Sequence, residues 1–142
     1  MRFWDASAII LLCVNGAETA PLRALWRSDP GIVVWWGTAL ECGSALARLA
    51  RVSTGPDRRD GRADTARELL REMERTWIEI QPSDEVRAIA GRLVRSHALR
   101  TPEALQLAAA LSWMKLPEAG EMVVVDTRLA QVARIEGLTA LP

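Results

Sequence analysis

Short runs of β-branched and aromatic residues alternate along this chain with longer segments whose apolar positions recur at helical spacing. A strand sends successive side chains to opposite faces, and a helix returns to one face every three to four residues, so the two periods separate the elements. The apolar runs predict strands near residues 2–5, 31–36, 77–81, 122–125 and 138–140. The helical period predicts helices over 6–13, 18–27, 38–52, 63–76, 84–97, 102–115 and 127–136. Gly31-Ile32-Val33-Val34-Trp35-Trp36 is apolar throughout, as a strand covered on both faces requires, whereas Trp77-Ile78-Glu79-Ile80-Gln81 alternates like a half-buried one. Strands and helices in this order predict an α/β fold, a three-layer α/β/α sandwich around a central parallel sheet of about five strands.

The punctuation between elements agrees with this reading. Thr38-Ala39-Leu40-Glu41 has the form of a capping box, Thr101-Pro102 puts a cap residue before a proline at the first helical position, and Ser83-Asp84-Glu85 marks another helix start. Gly137 reads as the stop of the last helix. The stretch from Ser53 to Arg62, rich in turn residues and charge, is the one clear loop. There is no internal repeat and no low-complexity tract.

Four acids fall where apolar runs give way to helices. Asp5 ends Met1-Arg2-Phe3-Trp4, Asp126 ends Met122-Val123-Val124-Val125, Glu41 lies one turn into the helix after the second strand, and Glu103 opens the helix before the fourth. In open parallel sheets, ligands gather beyond the carboxyl ends of the strands, where successive connections depart in opposite directions. If strands one and four are neighbours there, Asp5 and Asp126 face each other and all four acids share a pocket. Taken singly, each has a sufficient structural role, because carboxylates at helix starts interact favourably with unpaired N–H groups and the macrodipole. Only the set argues for chemistry. Four carboxylates in one pocket repel one another unless some are protonated or a cation binds. Hard oxygen ligands, with no Cys or His among the four, point to Mg²⁺ or Mn²⁺. Such a site would acidify a water and stabilise the leaving alkoxide during attack on a phosphodiester.

Bulk properties narrow the picture further. At 142 residues, 49% hydrophobic and 25% charged, the chain fits one domain spanning 1–142. Its 18 basic residues balance 18 acidic ones, so no global positive field advertises a polyanionic partner. Nucleic acid is not thereby excluded, because bound cations supply positive charge locally. Cys13 and Cys42 sit in apolar settings without metal-type spacing and read as buried, reduced thiols. The chain shows no signal-peptide pattern and no apolar run of spanning length, so a soluble, cytoplasmic protein without membrane association is expected.

Of the remaining residues, Arg58, Arg59 and Arg62 read as a solvated loop, with RNA phosphates as the alternative contact. Arg100, just before the third acidic helix, reads as a substrate or partner contact as readily as an end-of-helix charge. His97, the one histidine, stands where a helix should end and reads as a surface or capping residue with no general-base role. Trp4, Trp35, Trp36 and Trp77 fall in predicted strands and are expected to be buried, which argues against base stacking; Trp26 and Trp113 lie on helices facing the core or a partner.

Taken together, Phe3-Trp4-Asp5-Ala6-Ser7-Ala8, Thr38-Ala39-Leu40-Glu41, the stretch from Leu99 to Ala110 and Val125-Asp126-Thr127-Arg128-Leu129 resemble the PIN-domain family, and within it the VapC-type toxins of toxin–antitoxin modules. The likeness covers almost the whole chain and rests on the order and spacing of these segments. It implies a sandwich of helices around a parallel sheet and a Mg²⁺- or Mn²⁺-dependent endoribonuclease. Asp5, Glu41, Glu103 and Asp126 would be its catalytic, metal-holding quartet, and Ser7 its hydroxyl beside the first acid. It also implies an RNA substrate, a cognate VapB-like antitoxin and a homodimer. The chain departs from the family's pattern in three places: Glu103 stands where aspartate is usual, Gln106 where histidine is frequent, and Val124 where a hydroxyl residue is frequent. The departures motivate an alternative, a catalytically weak PIN-like module that binds protein or RNA. An unrelated phosphatase or receiver-like domain is less well supported, because Ser7 stands where a phosphatase would carry a second acid, and strand three ends without a phospho-acceptor aspartate.

Overall fold

The computed structural model describes residues 1–14, 19–52, 61–115 and 120–142. Five short strands form one parallel sheet: β1 (Arg2–Trp4), β2 (Ile32–Trp35), β3 (Ile78–Ile80), β4 (Glu121–Val123) and β5 (Thr139–Leu141), in the spatial order β3-β2-β1-β4-β5. Seven helices flank it among the described residues: α1 (Ala6–Val14), α2 (Ala20–Ser28), α3 (Thr38–Val52), α4 (Arg62–Glu74), α5 (Asp84–His97), α6 (Thr101–Trp113) and α7 (Thr127–Ile135). The sandwich expected from the sequence is therefore present, with all five strands where the apolar runs place them. Arg58 and Arg59 lie outside the described residues, as does the side chain of Arg62.

Alternation along the strands divides the core in two. Phe3, Val33, Trp35 and Met122 point to one face and pack with residues of α5, α6 and α7, among them Leu93, Leu107 and Leu129. Trp4, Ile32, Val34 and Val123 point to the other and pack with α1, α3 and α4 through Ile9, Leu46 and Leu70. The first two connections run outward from β1 to β2 to β3 on that second face, and the chain then crosses to the other face to reach β4 and β5. Right-handed crossovers that start from a common strand and move in opposite directions must use opposite faces of the sheet. The reversal falls between β1 and β4, which pair through Phe3↔Met122 and Trp4↔Val123. Strands one and four are thus neighbours, and the crevice beyond their carboxyl ends is the switch point. At the opposite end Arg2 Nε bonds Glu121 Oε2 at 2.6 Å and ties the same two strands together.

Several helix boundaries follow local rules. Ser83 caps α5 by accepting the Val86 N–H at 3.2 Å. Gly137, at φ 92°, ends α7: its N–H bonds the Arg134 carbonyl and the Leu138 N–H bonds the Ala133 carbonyl, the paired bonds of a Schellman stop. Two expected caps differ. Thr38 already lies inside α3, and its side chain and that of Glu41 bond Gln106 of α6 in place of a reciprocal capping box. At α6 the cap is Arg100, one residue before Thr101, and its backbone N–H is taken by the Glu103 carboxylate at 3.0 Å.

Trp36 is a further correction. It lies past the last residue of β2, where the chain turns into α3, and is 46% exposed rather than buried. Its indole meets that of Trp35 edge-on, with centroids 6.3 Å apart. Gly37 makes this tight turn possible, since a Cβ there would come within 2.6 Å of Trp35 Nε1. Trp77 is only half-buried, and Ile78 is 44% exposed, because β3 is the edge strand. Cys13 and Cys42 are buried and unbridged as expected, with burial pushing the Cys13 thiol up to about 12. No helix among the described residues is long and apolar enough to cross a membrane.

His97 does sit at the end of α5, and it links two helices. Its Nε2 lies 2.7 Å from Glu136 Oε1, and Arg92 grips the same carboxylate through 2.8 and 2.5 Å bonds. The Arg92 hydrogen bonds hold the Glu136 carboxyl down at about 2, with His97 adding to the effect. A depressed carboxylate contributes stability above its unfolded value of 4.5 and loses it as pH falls from there toward about 2. Glu136→Gln should therefore cost about 1 kcal/mol at neutral pH, a modest figure because Arg92 is half exposed. In melts followed from pH 7 downward, the gap between variant and wild type should close across that window.

Candidate active site

Asp5 follows β1 at the switch point. Its backbone N–H bonds the Val123 carbonyl of β4 at 2.9 Å, and its own carbonyl accepts the Ala8 and Ile9 N–H groups that begin α1. The residue is 4% exposed. Its carboxylate accepts the Ser7 N–H at 2.9 Å and the Ser7 hydroxyl in a short bond, and that hydroxyl in turn accepts the Val125 N–H at 3.3 Å. Ser7 therefore braces the first acid against the strand that leads to the last. Burial pushes the Asp5 carboxyl above its ordinary range; the Ser7 bonds oppose this, and the negative charge of Asp126 adds to it.

Glu41, in the first turn of α3, is half-buried. Burial raises its carboxyl too, a Gln106 hydrogen bond opposes the rise, and Asp5 adds to it. Asp5 thus stands electrostatically between Glu41 and Asp126. Gln106 is itself 1% exposed. Its Nε2 donates to Glu41 Oε1 at 3.0 Å and to Thr38 Oγ1 at 3.1 Å, so an amide on α6 orients an acid on α3. Asp126 caps α7 by accepting the Leu129 N–H at 2.8 Å, and Glu103 accepts the Arg100 N–H. Glu103 and Asp126 therefore have the helix-start roles their positions suggested. The bonds named here engage one oxygen of each of Glu41, Glu103 and Asp126.

All six residues singled out by sequence line one open cleft of about 460 Å³: Asp5, Ser7, Glu41, Arg100, Glu103 and Asp126. Gln106 and Arg48 line it as well. Arg48 was not anticipated, although the signal was available: it lies seven residues after Glu41, two turns along the same helix face. The role of Gln106 toward Glu41 had no local signal, since 65 residues separate the pair. Val124, the third departure from the family's pattern, is buried in the core, with its N–H on the Leu141 carbonyl.

The donor chemistry of this cleft suits a hard divalent cation. Its acids offer hard carboxylate oxygens, and Asp5 is held among like charges at a cost that a cation would relieve. The spacing is looser than a closed ligand cage. No three His, Cys, Asp or Glu side chains among the described residues converge on a common ion position. Chemically, the arrangement gathers four carboxyl groups at the end of the sheet, beside two arginines.

No family model matches this sequence, and no curated protein matches it. Solved structures share its fold. A chain of a toxin–antitoxin complex from Klebsiella pneumoniae matches with a TM-score of 0.60 at 16% identity, covering 100% of this chain and 97% of that one. A chain from FitAB bound to an IR36 DNA fragment matches with a TM-score of 0.62 at 14% identity, covering 99% of this chain and 94% of the other. The chain therefore has the three-layer α/β/α fold of a component of a toxin–antitoxin complex, along its full length.

Proposed function

We propose that this chain is the toxin of a VapBC-type toxin–antitoxin module, a Mg²⁺- or Mn²⁺-dependent endoribonuclease of the PIN-domain family. The observation that supports it most is the meeting of Asp5, Glu41, Glu103 and Asp126 in one cleft at the switch point. The likeness of fold to a chain of a toxin–antitoxin complex supports the biological setting. Asp5, Glu41, Glu103 and Asp126 would hold the cation, which supplies an acidified water and neutralises charge on the phosphodiester. Ser7 keeps the Asp5 carboxylate in place, and Gln106 orients Glu41. Arg100 meets the substrate at the cleft mouth. A VapB-like antitoxin silences the site, and the toxin pairs as a homodimer in the cytoplasm.

The test is a thermal melt with EDTA, Mg²⁺ or Mn²⁺, beside Asp5→Ala and Asp126→Ala. At a hundredfold excess over Kd, binding to the native state alone adds about 2.7 kcal/mol, roughly 5–10 °C for a chain of this size. Both variants should lose that rise, and only wild type should then cleave single-stranded RNA when metal is present. Metal-insensitive melts together with no RNA cleavage would sink the nuclease reading. They would favour the second one, a PIN-like binding module, which the looser spacing of the acids supports.

A further inference from the structure

We infer that Arg48 and Arg100 form a two-point seat for the phosphates of single-stranded RNA on either side of the scissile bond. This rests on the nuclease reading above and names how the same cleft takes its substrate. Both arginines line the cleft that holds the four acids, yet they come from different elements. Arg100 stands at the start of α6, and Arg48 lies about 10 Å along α3 from Glu41.

Charge in the cleft is layered. Asp5 is buried at the floor, Glu41, Glu103 and Asp126 are half-buried, and Arg48 and Arg100 are exposed. The arginines do not neutralise the acids beside them: neither guanidinium forms an ion pair among the described residues. Two exposed cations that ignore nearby carboxylates are available to an incoming anion. On a chain with no net charge, they supply the local attraction that overall composition does not. Guanidinium matches phosphate with two parallel bonds, and a phosphodiester chain held at two points presents the bond between them to the acid floor.

The experiment measures binding of a mixed-sequence single-stranded RNA of about 12 nucleotides to the Asp5→Asn protein, at fixed Mg²⁺ and over a series of monovalent salt concentrations. Arg48→Gln and Arg100→Gln, each in that background, should weaken binding about tenfold. Each should also reduce the slope of log K against log salt by about 0.7. Arg87→Gln, which removes an exposed arginine paired with Asp84 outside this cleft, should leave the slope unchanged. Unchanged slopes in both cleft variants overturn the proposal even if wild type cleaves RNA, and so does an absence of RNA binding at low salt. Slopes that fall as stated, in a protein whose wild type never cleaves, keep the arginine seat and remove the nuclease reading instead. Binding of an acidic peptide that depends on both arginines, with RNA binding unaffected by them, assigns the seat to a protein partner and overturns the proposal.

Discussion

Asp5→Asn is expected to abolish RNA cleavage and at the same time raise the melting temperature of the metal-free protein. The loss of rate should be at least about 10²-fold, the scale on which removing one preorganised electrostatic group acts. The gain in stability follows from the site's own repulsion. Asp5 is buried, and both desolvation and the charge of Asp126 raise its carboxyl above the ordinary value. The folded protein therefore binds this proton more readily than the unfolded chain does, and stability falls as pH rises through the interval above 3.8. Asparagine keeps an oxygen to accept from Ser7 while removing the charge. A gain of about 1 kcal/mol, roughly 3 °C, should appear at neutral pH and disappear below the unfolded carboxylate's range. Saturating Mg²⁺ should reverse the order of the two proteins. An asparagine variant that cleaves at the wild-type rate would remove Asp5 from the reaction. One that melts lower at neutral pH without metal would make its carboxylate a helix-start contact alone.

Leu107→Ala should produce the largest loss of stability discussed here, about 3 kcal/mol and roughly 6–12 °C in melting temperature. Leu107 is fully buried on α6, in the core layer that includes Phe3, Leu93 and Met122. Around it Ala104, Ala108, Ala109 and Ala110 are also fully buried, so α6 lies against the sheet and α5 through small side chains. Such close packing has little room to collapse around a lost isobutyl group, which places the cost well above simple transfer. The same helix carries Glu103 and Gln106, so RNA affinity should drop even well below the melting point. Calorimetry and binding at one low temperature read the two effects separately. A destabilisation under about 1 kcal/mol would mean that the cavity is refilled by neighbouring side chains.

The architecture was legible in the chain because it depends on local periods. Gly31 to Trp36 carries a two-sided apolar run, and β2 does sit between two other strands with both faces covered. Ser83 and Gly137 terminate helices by bonds within a few residues of themselves, so their roles needed no knowledge of the rest of the fold. The acids were legible for the same reason: each marks a strand-to-helix junction or a helix start, and in a doubly wound sheet those junctions collect at one edge.

What the sequence by itself determined was the order of elements, their faces and the set of acids that would meet. Only the tertiary structure decided how those acids are held. Thr38 and Glu41 have the local form of a capping box, but Gln106 arrives from a helix 65 residues away and takes both side chains, because a buried amide must find partners and these are the ones within reach. Trp36 has the composition of a strand interior and ends exposed, because the chain leaves the sheet after Trp35, one residue earlier than the apolar run suggests. Arg48 shares the helix face of Glu41 by spacing alone, but that this face lines the cleft is decided by the packing of α3 beside α1. Periodicity is a property of neighbours in the chain, whereas hydrogen-bond partners and cleft walls are properties of neighbours in space. Only packing brings those together.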